Sequence, residues 1–263
     1  GVMYEQTGSG DFAPVNTALF EKDKLSEDTD ALFFDADGDG DQDLYVCSGG
    51  SSFSPNASAL IDRLYVNDGY GGFGKSAQVL PSFIFESSSS VSAADYDQDG
   101  DQDLFVGVRL TPFSYGYPCK AYVLQNDGAG NFKDVTKEVA PELENAGMVT
   151  DGEWFDYDRD GKADLVIAGE YMPLRLYHNT GGKLEEVTKA AGLSKSNGWW
   201  NRLAVADVNG DGFLDIVAAN HGLNSRFQSS EEKPVSMYVS DFDNNGRKEH
   251  IVTCYNGEES YPM

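Results

Sequence analysis

Five short stretches place carboxylates on alternating residues, and alternating carboxylates in a tight loop make an oxygen cage for a divalent cation. The first stretch carries Asp35, Asp37, Asp39, Asp41 and Asp43. The second carries Asp95, Asp97, Asp99, Asp101 and Asp103, and the third Asp156, Asp158, Asp160, Lys162 and Asp164. Asp207, Asn209, Asp211, Phe213 and Asp215 form the fourth, and Asp241, Asp243, Asn245, Arg247 and Glu249 the fifth. Two unit charges about 4 Å apart repel by roughly 1 kcal/mol even in bulk water, and by more near a protein surface. Crowding of this kind calls for a compensating cation.

The shared form is D-x-[DN]-x-[DN]-G-x-x-[DE], followed by a strand-like apolar run. Calcium takes six to eight oxygens at about 2.3–2.6 Å. Positions 1, 3 and 5 offer side-chain oxygens and position 9 a second carboxylate, able to bind through both oxygens. Position 7 offers its backbone carbonyl, which is how Lys162, Phe213 and Arg247 enter the ligand set. Gly40, Gly100, Gly161, Gly212 and Gly246 stand at position 6, where the chain reverses. An EF-hand shares the first half of this pattern but needs Glu at position 12 and flanking helices. Here position 12 is Val46, Val106, Ile167, Ala218 or Val252, all on the apolar run. Magnesium fits less well, since it prefers strict octahedral geometry and retained waters. Up to five Ca²⁺ are therefore expected. The loops hold 20 of the 44 acidic residues, so five ions would bring the formal charge from −25 to −15.

The elements that must hold these loops recur with them. Start-to-start spacings are 60, 61, 51 and 34 residues, and a period of this size marks a repeat architecture. A second motif keeps step: "LYVNDGYGGF" (64–73), "VLQNDGAGNF" (123–132) and "LYHNTGGKLEEV" (176–187). Each reads as a strand, an Asn/Gly turn and another strand, because Asn-Gly and Asp-Gly tolerate the positive φ that hairpins need. Each period thus holds four short antiparallel strands, the signature of a propeller blade. The fold class is all-β, a β-propeller of four-stranded blades with about four present. Residues 1–263 form one segment: 1–20 the outer hairpin of a preceding blade, then blades at 30–80, 90–137, 150–190 and 200–256. The last blade carries two aspartate loops, with residues 235–255 as its outer hairpin. Residues 137–150 are expected to hold a helical turn.

Net charge argues against nucleic acid, whose phosphates demand Lys and Arg, and against anionic membranes. No run of 18 apolar residues exists, so no spanning helix is expected. Both termini read as the interior of something longer. Cys47, Cys119 and Cys254 lack metal-ligand spacing and read as small buried strand residues. His178, His221 and His250 form no metal-site pattern and read as surface residues, and neither GxSxG nor HExxH occurs. No catalytic residue is assigned. Trp199 and Trp200 are adjacent, so their side chains face opposite ways in an extended chain. With Trp154 and the aromatic loop "FSYGYP" (113–118) they fill spaces between blades or offer stacking surfaces for sugars.

The loops followed by "DLYV", "DLFV" and "DLVI", together with the Asn/Gly hairpins, resemble FG-GAP/VCBS repeat proteins over nearly the whole chain. "GWWNRLAVADVNGDGFLDIVAANHGLNS" (198–225) and "PVSMYVSDFDNNG" (234–246) are similar to the bacterial relatives of cartilage acidic protein. The resemblance implies a propeller with calcium in its blade loops and more blades than four, so the chain is expected to be part of a larger ring or to close with fewer blades. It implies an exported protein, extracellular, cell-surface or periplasmic, acting as a binding, adhesion or scaffolding module on a protein or glycan ligand. A lectin-like carbohydrate-binding propeller and a polysaccharide lyase or hydrolase are the alternatives. Four blades leave sheet edges open, and an edge-to-edge homodimer is expected.

Overall fold

The computed structural model describes residues 1–54, 56–82, 84–222, 224–246 and 248–263. Among them the protein is all-β, and every strand pairing is antiparallel. A hairpin of β1 (Met3–Gln6) and β2 (Phe12–Val15) comes first. Three four-stranded sheets follow. The first holds β3 (Glu27–Phe34), β4 (Asp43–Gly49), β5 (Arg63–Asn67) and β6 (Phe73–Lys75) in chain order. The second holds β7 (Ser87–Ala94), β8 (Asp103–Leu110), β9 (Tyr122–Gln125) and β10 (Lys133–Asp134). The third holds β11 (Met148–Phe155), β12 (Asp164–Met172), β13 (Arg175–Asn179) and β14 (Leu184–Glu186).

Beyond them, β15 (Gly198–Ala206) pairs with β16 (Asp215–Asn220), and the start of β15 also bridges the end of β12. The last sheet is β17 (Ser236–Ser240), β18 (Glu249–Asn256) and β19 (Glu259–Pro262). This differs from the expectation that residues 235–255 complete a sheet with β15 and β16. The fifth aspartate loop joins β17 to β18 as the first loop joins β3 to β4, and the described residues within 221–235 supply no strand to bridge the two units. A short helix (Thr136–Val139) and a 3₁₀ turn (Pro141–Asn145) occupy the connection after β10.

The second strand of each of the three four-stranded sheets is buried along nearly its whole length, which explains its unbroken apolar run. Side chains alternate across a strand, so a strand covered on both faces is apolar at every position. On β8, Leu104, Val106 and Val108 pack with Phe34, Tyr45 and Leu64 of the first sheet. Phe105, on the other face, packs with Leu165, Ile167 and Tyr177 of the third. On β12 the alternation repeats, and Val166 and Ala168 pack with Leu203. The outer face of the first sheet is covered by Phe20 and Met3 from the N-terminal segment.

The first strands of successive sheets lie side by side and are stitched without ladder bonds. Each has a β-bulge near its start, at Thr29, Ser89, Thr150 and Asn201. An extra residue in one strand of a pair re-aims its side chain. Thr29 Oγ1 donates to Ser88 O at 2.8 Å, Ser89 Oγ to Val149 O at 2.7 Å and Thr150 Oγ1 to Trp200 O at 2.9 Å. Carboxylates of Asp30 and Asp151 add bonds from Val91 N at 3.1 Å and Leu203 N at 2.7 Å. Close approach is built in as well: a Cβ on Gly169 would strike the Met148 carbonyl.

Candidate metal centre

The first four aspartate loops lie at one end of the sheets, where the first strand hands over to the second; the fifth, on the last sheet, stands by the connection after β8, with Lys248 Nζ 5.9 Å from the Tyr117 ring and His250 5.7 Å from Tyr115. The backbone of each loop is shaped by its own carboxylates. Asp35 accepts from Gly38 N at 2.8 Å and Gly40 N at 3.0 Å. Asp95 takes Asp99 N and Gly100 N, Asp156 takes Asp160 N and Gly161 N, Asp207 takes Gly210 N and Gly212 N, and Asp241 takes Asn245 N and Gly246 N. The position-6 glycines sit at φ between 83° and 104°, a region costly for residues with a Cβ.

Position 9 anchors the loop to the sheet. Asp43, Asp103 and Asp164 are buried, and each bonds the position-2 N–H through one oxygen. The other oxygen accepts from the N–H of an Asn at the end of the third strand: Asn67 at 2.7 Å, Asn126 at 2.8 Å and Asn179 at 2.7 Å. Asp215 and Glu249 make the position-2 bond, to Val208 N at 3.0 Å and Phe242 N at 2.9 Å. Position 9 is thus a structural carboxylate as well as a candidate ligand.

The remaining oxygens are the informative ones. Asp37 Oδ1, both oxygens of Asp41, Asp97 Oδ1 and Asp101 Oδ1 are sealed from solvent with no hydrogen-bond partner among the described residues. An ionised carboxylate only accepts, and a buried acceptor without a donor costs about 1–3 kcal/mol or more. Burial raises the pKa of Asp37, Asp41 and Asp97, with Asp39 and Asp99 adding repulsion, and it lifts Asp101 to about 6 and Asp103 to about 7. Oxygens that hold a proton this tightly are equally poised for a metal cation. Candidate ligand atoms lie within 4.8 Å of one another in Asp35/Asp37/Asp39, Asp95/Asp97/Asp99, Asp156/Asp158/Asp164 and Asp241/Asp243/Glu249. These donor sets, all hard oxygen, fit calcium.

The loops are not equivalent. In the third, the Lys162 ammonium pairs with Asp160 and holds its carboxyl below the ordinary range. His178, on β13, lies 3.1 Å from Asp164 Oδ1 and 3.6 Å from Asp158 Oδ2. The two side chains put cationic or donor groups where the first two loops leave bare oxygens. In the fourth, Asp207, Asn209, Asp211 and Asp215 keep the loop hydrogen bonds, but its three carboxylates form no tight group among the described residues. Phe213 there is covered by the Arg159 guanidinium, 4.5 Å from its ring. In the fifth, Asn245 Nδ2 donates to Asp243 at 2.9 Å, and Arg247 lies outside the described residues.

Two features escaped the sequence reading. The Asn residues ending the third strands lock the loops through backbone bonds that residue type alone does not announce. The recurring place of that Asn before each Asp-Gly or Thr-Gly turn was the available signal. His178 beside the third loop was the second. Trp199 and Trp200 part as neighbours in an extended chain do: the Trp199 ring lies with Tyr171, His221 and Phe227, while Trp200 turns inward and donates Nε1–H to Ser196 O at 2.9 Å.

Compared with family models, the chain matches the FG-GAP-like repeat over residues 35–106 and 156–218. These stretches contain the first four loops. No curated protein matches the chain. Among the described residues no helix is long and apolar enough to cross a membrane. With half of its length matched in two blocks that each carry two aspartate loops, the chain belongs to the FG-GAP-like repeat family.

Proposed function

We propose that the chain is a calcium-stabilised β-propeller segment that serves as an extracellular or periplasmic binding and scaffolding module, close to the bacterial relatives of cartilage acidic protein. FG-GAP repeats are typical of extracellular adhesion and binding modules and are generally not catalytic, which supports a non-enzymatic role. Three stacked four-stranded sheets whose first strands lie side by side are the arrangement propeller blades require. The observation that carries the calcium reading is the set of sealed, donorless carboxylate oxygens in the first two loops. The ion is structural: it neutralises each loop and fixes the corner between the first two strands.

A ligand bound only by the folded state stabilises it by about 2.7 kcal/mol per site at a hundredfold excess over Kd. Thermal unfolding after thorough chelation, then with Ca²⁺ or Mg²⁺ restored, tests the reading. The melting temperature is expected to drop by several degrees on chelation and to recover with calcium far more than with magnesium. A melting temperature indifferent to chelation defeats it.

A further inference from the structure

The end of the sheets opposite the first four aspartate loops holds a cavity of about 750 Å³. That size falls in the ~300–1,000 Å³ range of small-molecule sites. Glu27 and Thr29 come from the start of β3, Trp199 and Asn201 from the start of β15, and Arg109 and Glu170 from near the ends of β8 and β12. All four bulge residues line it. Bulges recur beside functional sites because they re-aim side chains. Thr29, Ser89 and Thr150 turn theirs to the next sheet. The Asn201 amide has no partner among the described residues and is exposed on the cavity wall.

We propose that this cavity is a saccharide site, with Trp199 as its stacking platform; the inference rests on the binding-module reading and gives that module its ligand class. Charge balance comes first. Arg109 Nε and Nη2 bond Glu170 Oε1 at 2.8 and 2.7 Å, and the Tyr115 hydroxyl caps the other Glu170 oxygen. Arg202 Nη1 stands 3.4 Å from Asp151 Oδ1 and 3.5 Å from Asp30 Oδ2. Both guanidinium groups are therefore already neutralised, and a chain of formal charge −25 repels anions. Glu170 is equally covered, and Glu27, exposed at the start of β3, keeps the unpaired carboxylate on the wall among the described residues, an acceptor for hydroxyl groups. What remains is fixed donors and acceptors side by side, held in orientation by their own pairing. A neutral polyol needs that combination, since each hydroxyl both donates and accepts.

The aromatic wall supplies the second requirement. Trp199 stacks on His221 at 4.9 Å and 24°, with Tyr171 at 5.5 Å and Phe227 at 5.6 Å. Tyr171 sits at φ 57°, where the register between β12 and β15 slips. A bulky residue there is an outlier whose strain marks functional positions. The distortion turns the Tyr171 ring towards Trp199 while Glu170 stays on the cavity wall. A broad ring beside paired polar groups takes the apolar face of a pyranose and leaves its hydroxyls to Arg109, Glu170 and Asn201.

Saturation-transfer NMR on the calcium-loaded chain, with D-glucose, D-galactose, D-mannose, N-acetyl-D-glucosamine and their disaccharides as probes, tests this. At least one probe is expected to show transfer. Trp199→Ala should weaken its binding about tenfold or more, and Trp199→Phe less. The melting temperature and calcium response of both variants check that they fold; Trp199→Phe keeps a ring in the cluster and carries the test where Trp199→Ala does not fold. No transfer from any probe overturns the proposal, as does unweakened binding in these variants or saturation of the site by tetramethylammonium alone. Such failures leave the calcium reading standing, since that one fails only through chelation-indifferent melting.

Discussion

Asp62 and Asp103 both have pKa values lifted by burial to about 7, and of the two Asp103 stands in a loop proposed to hold calcium. Asp62 lies away from the loops, accepting from the Tyr45 hydroxyl at 3.0 Å and Ser48 N at 2.7 Å. Asp103 anchors the second loop, where Asp101 is raised to about 6. An aspartate whose folded pKa exceeds its unfolded value, near 3.9, binds more protons when folded. Stability then falls as pH climbs through that window. The metal-free chain is therefore expected to lose melting temperature between about pH 4 and pH 7. Calcium competes with the loop protons, so its stabilising increment should grow across the same interval. Asp62→Asn keeps the bond from Ser48 N, reverses the Tyr45 contact so that the amide donates to the hydroxyl, and removes only the calcium-independent share of the slope. Melting curves by circular dichroism, with and without calcium, separate the two; a metal-free melting temperature that rises with pH would contradict both assignments.

Between residue and sheet, the Asn that ends each third strand works as a latch between neighbouring elements. Asn126 Nδ2 donates to Ala36 O in the first loop at 2.8 Å and to Gln102 O in its own at 3.1 Å. Asn179 repeats this one sheet later, with Tyr96 O at 2.6 Å and Ala163 O at 2.9 Å. Asn67 reaches only Gln42 O, at an exposed position. Truncating Asn126 strands a buried carbonyl and unties two sheets, so Asn126→Ala should cost about 2–4 kcal/mol, against about 1 kcal/mol or less for Asn67→Ala. Urea unfolding of the two variants measures the difference, and equal losses would dispose of the latch. The contrast also explains what was legible beforehand. Asp35 to Asp43 are contiguous, so their cage is written in local spacing, as are the strands around them. The Asn126 latch joins positions 90 residues apart. The cavity gathers residues from β3, β7, β8, β11, β12 and β15, and the bulges that aim its side chains leave no local mark at Thr29, Ser89 or Thr150. The last sheet was read as part of its predecessor because spacing fixes the loop but not which strands flank it.

At the scale of the whole molecule, apolar exposure and charge oppose each other. β16 ends its sheet, so one side of its backbone is unpaired among the described residues. Val217 on that strand is 56% exposed, and Phe213 and Leu214 just before it are 49% and 40% exposed. An apolar edge strand is a template for pairing with another chain unless a charge blocks it. Against this stands the formal charge of −25, which two copies must bring together. Repulsion between exposed charges fades beyond a Debye length, about 10 Å at 0.1 M salt and about 3 Å at 1 M. Bound calcium reduces the charge further. The chain is therefore expected to self-associate through β16, more strongly as sodium chloride or calcium is added. Val217→Lys places an ammonium on the edge and should keep the chain monomeric under all those conditions. Sedimentation velocity across a concentration series gives the answer: a wild-type chain that stays monomeric in high salt with calcium, or a Val217→Lys chain that associates as well as wild type, rules out pairing at this edge.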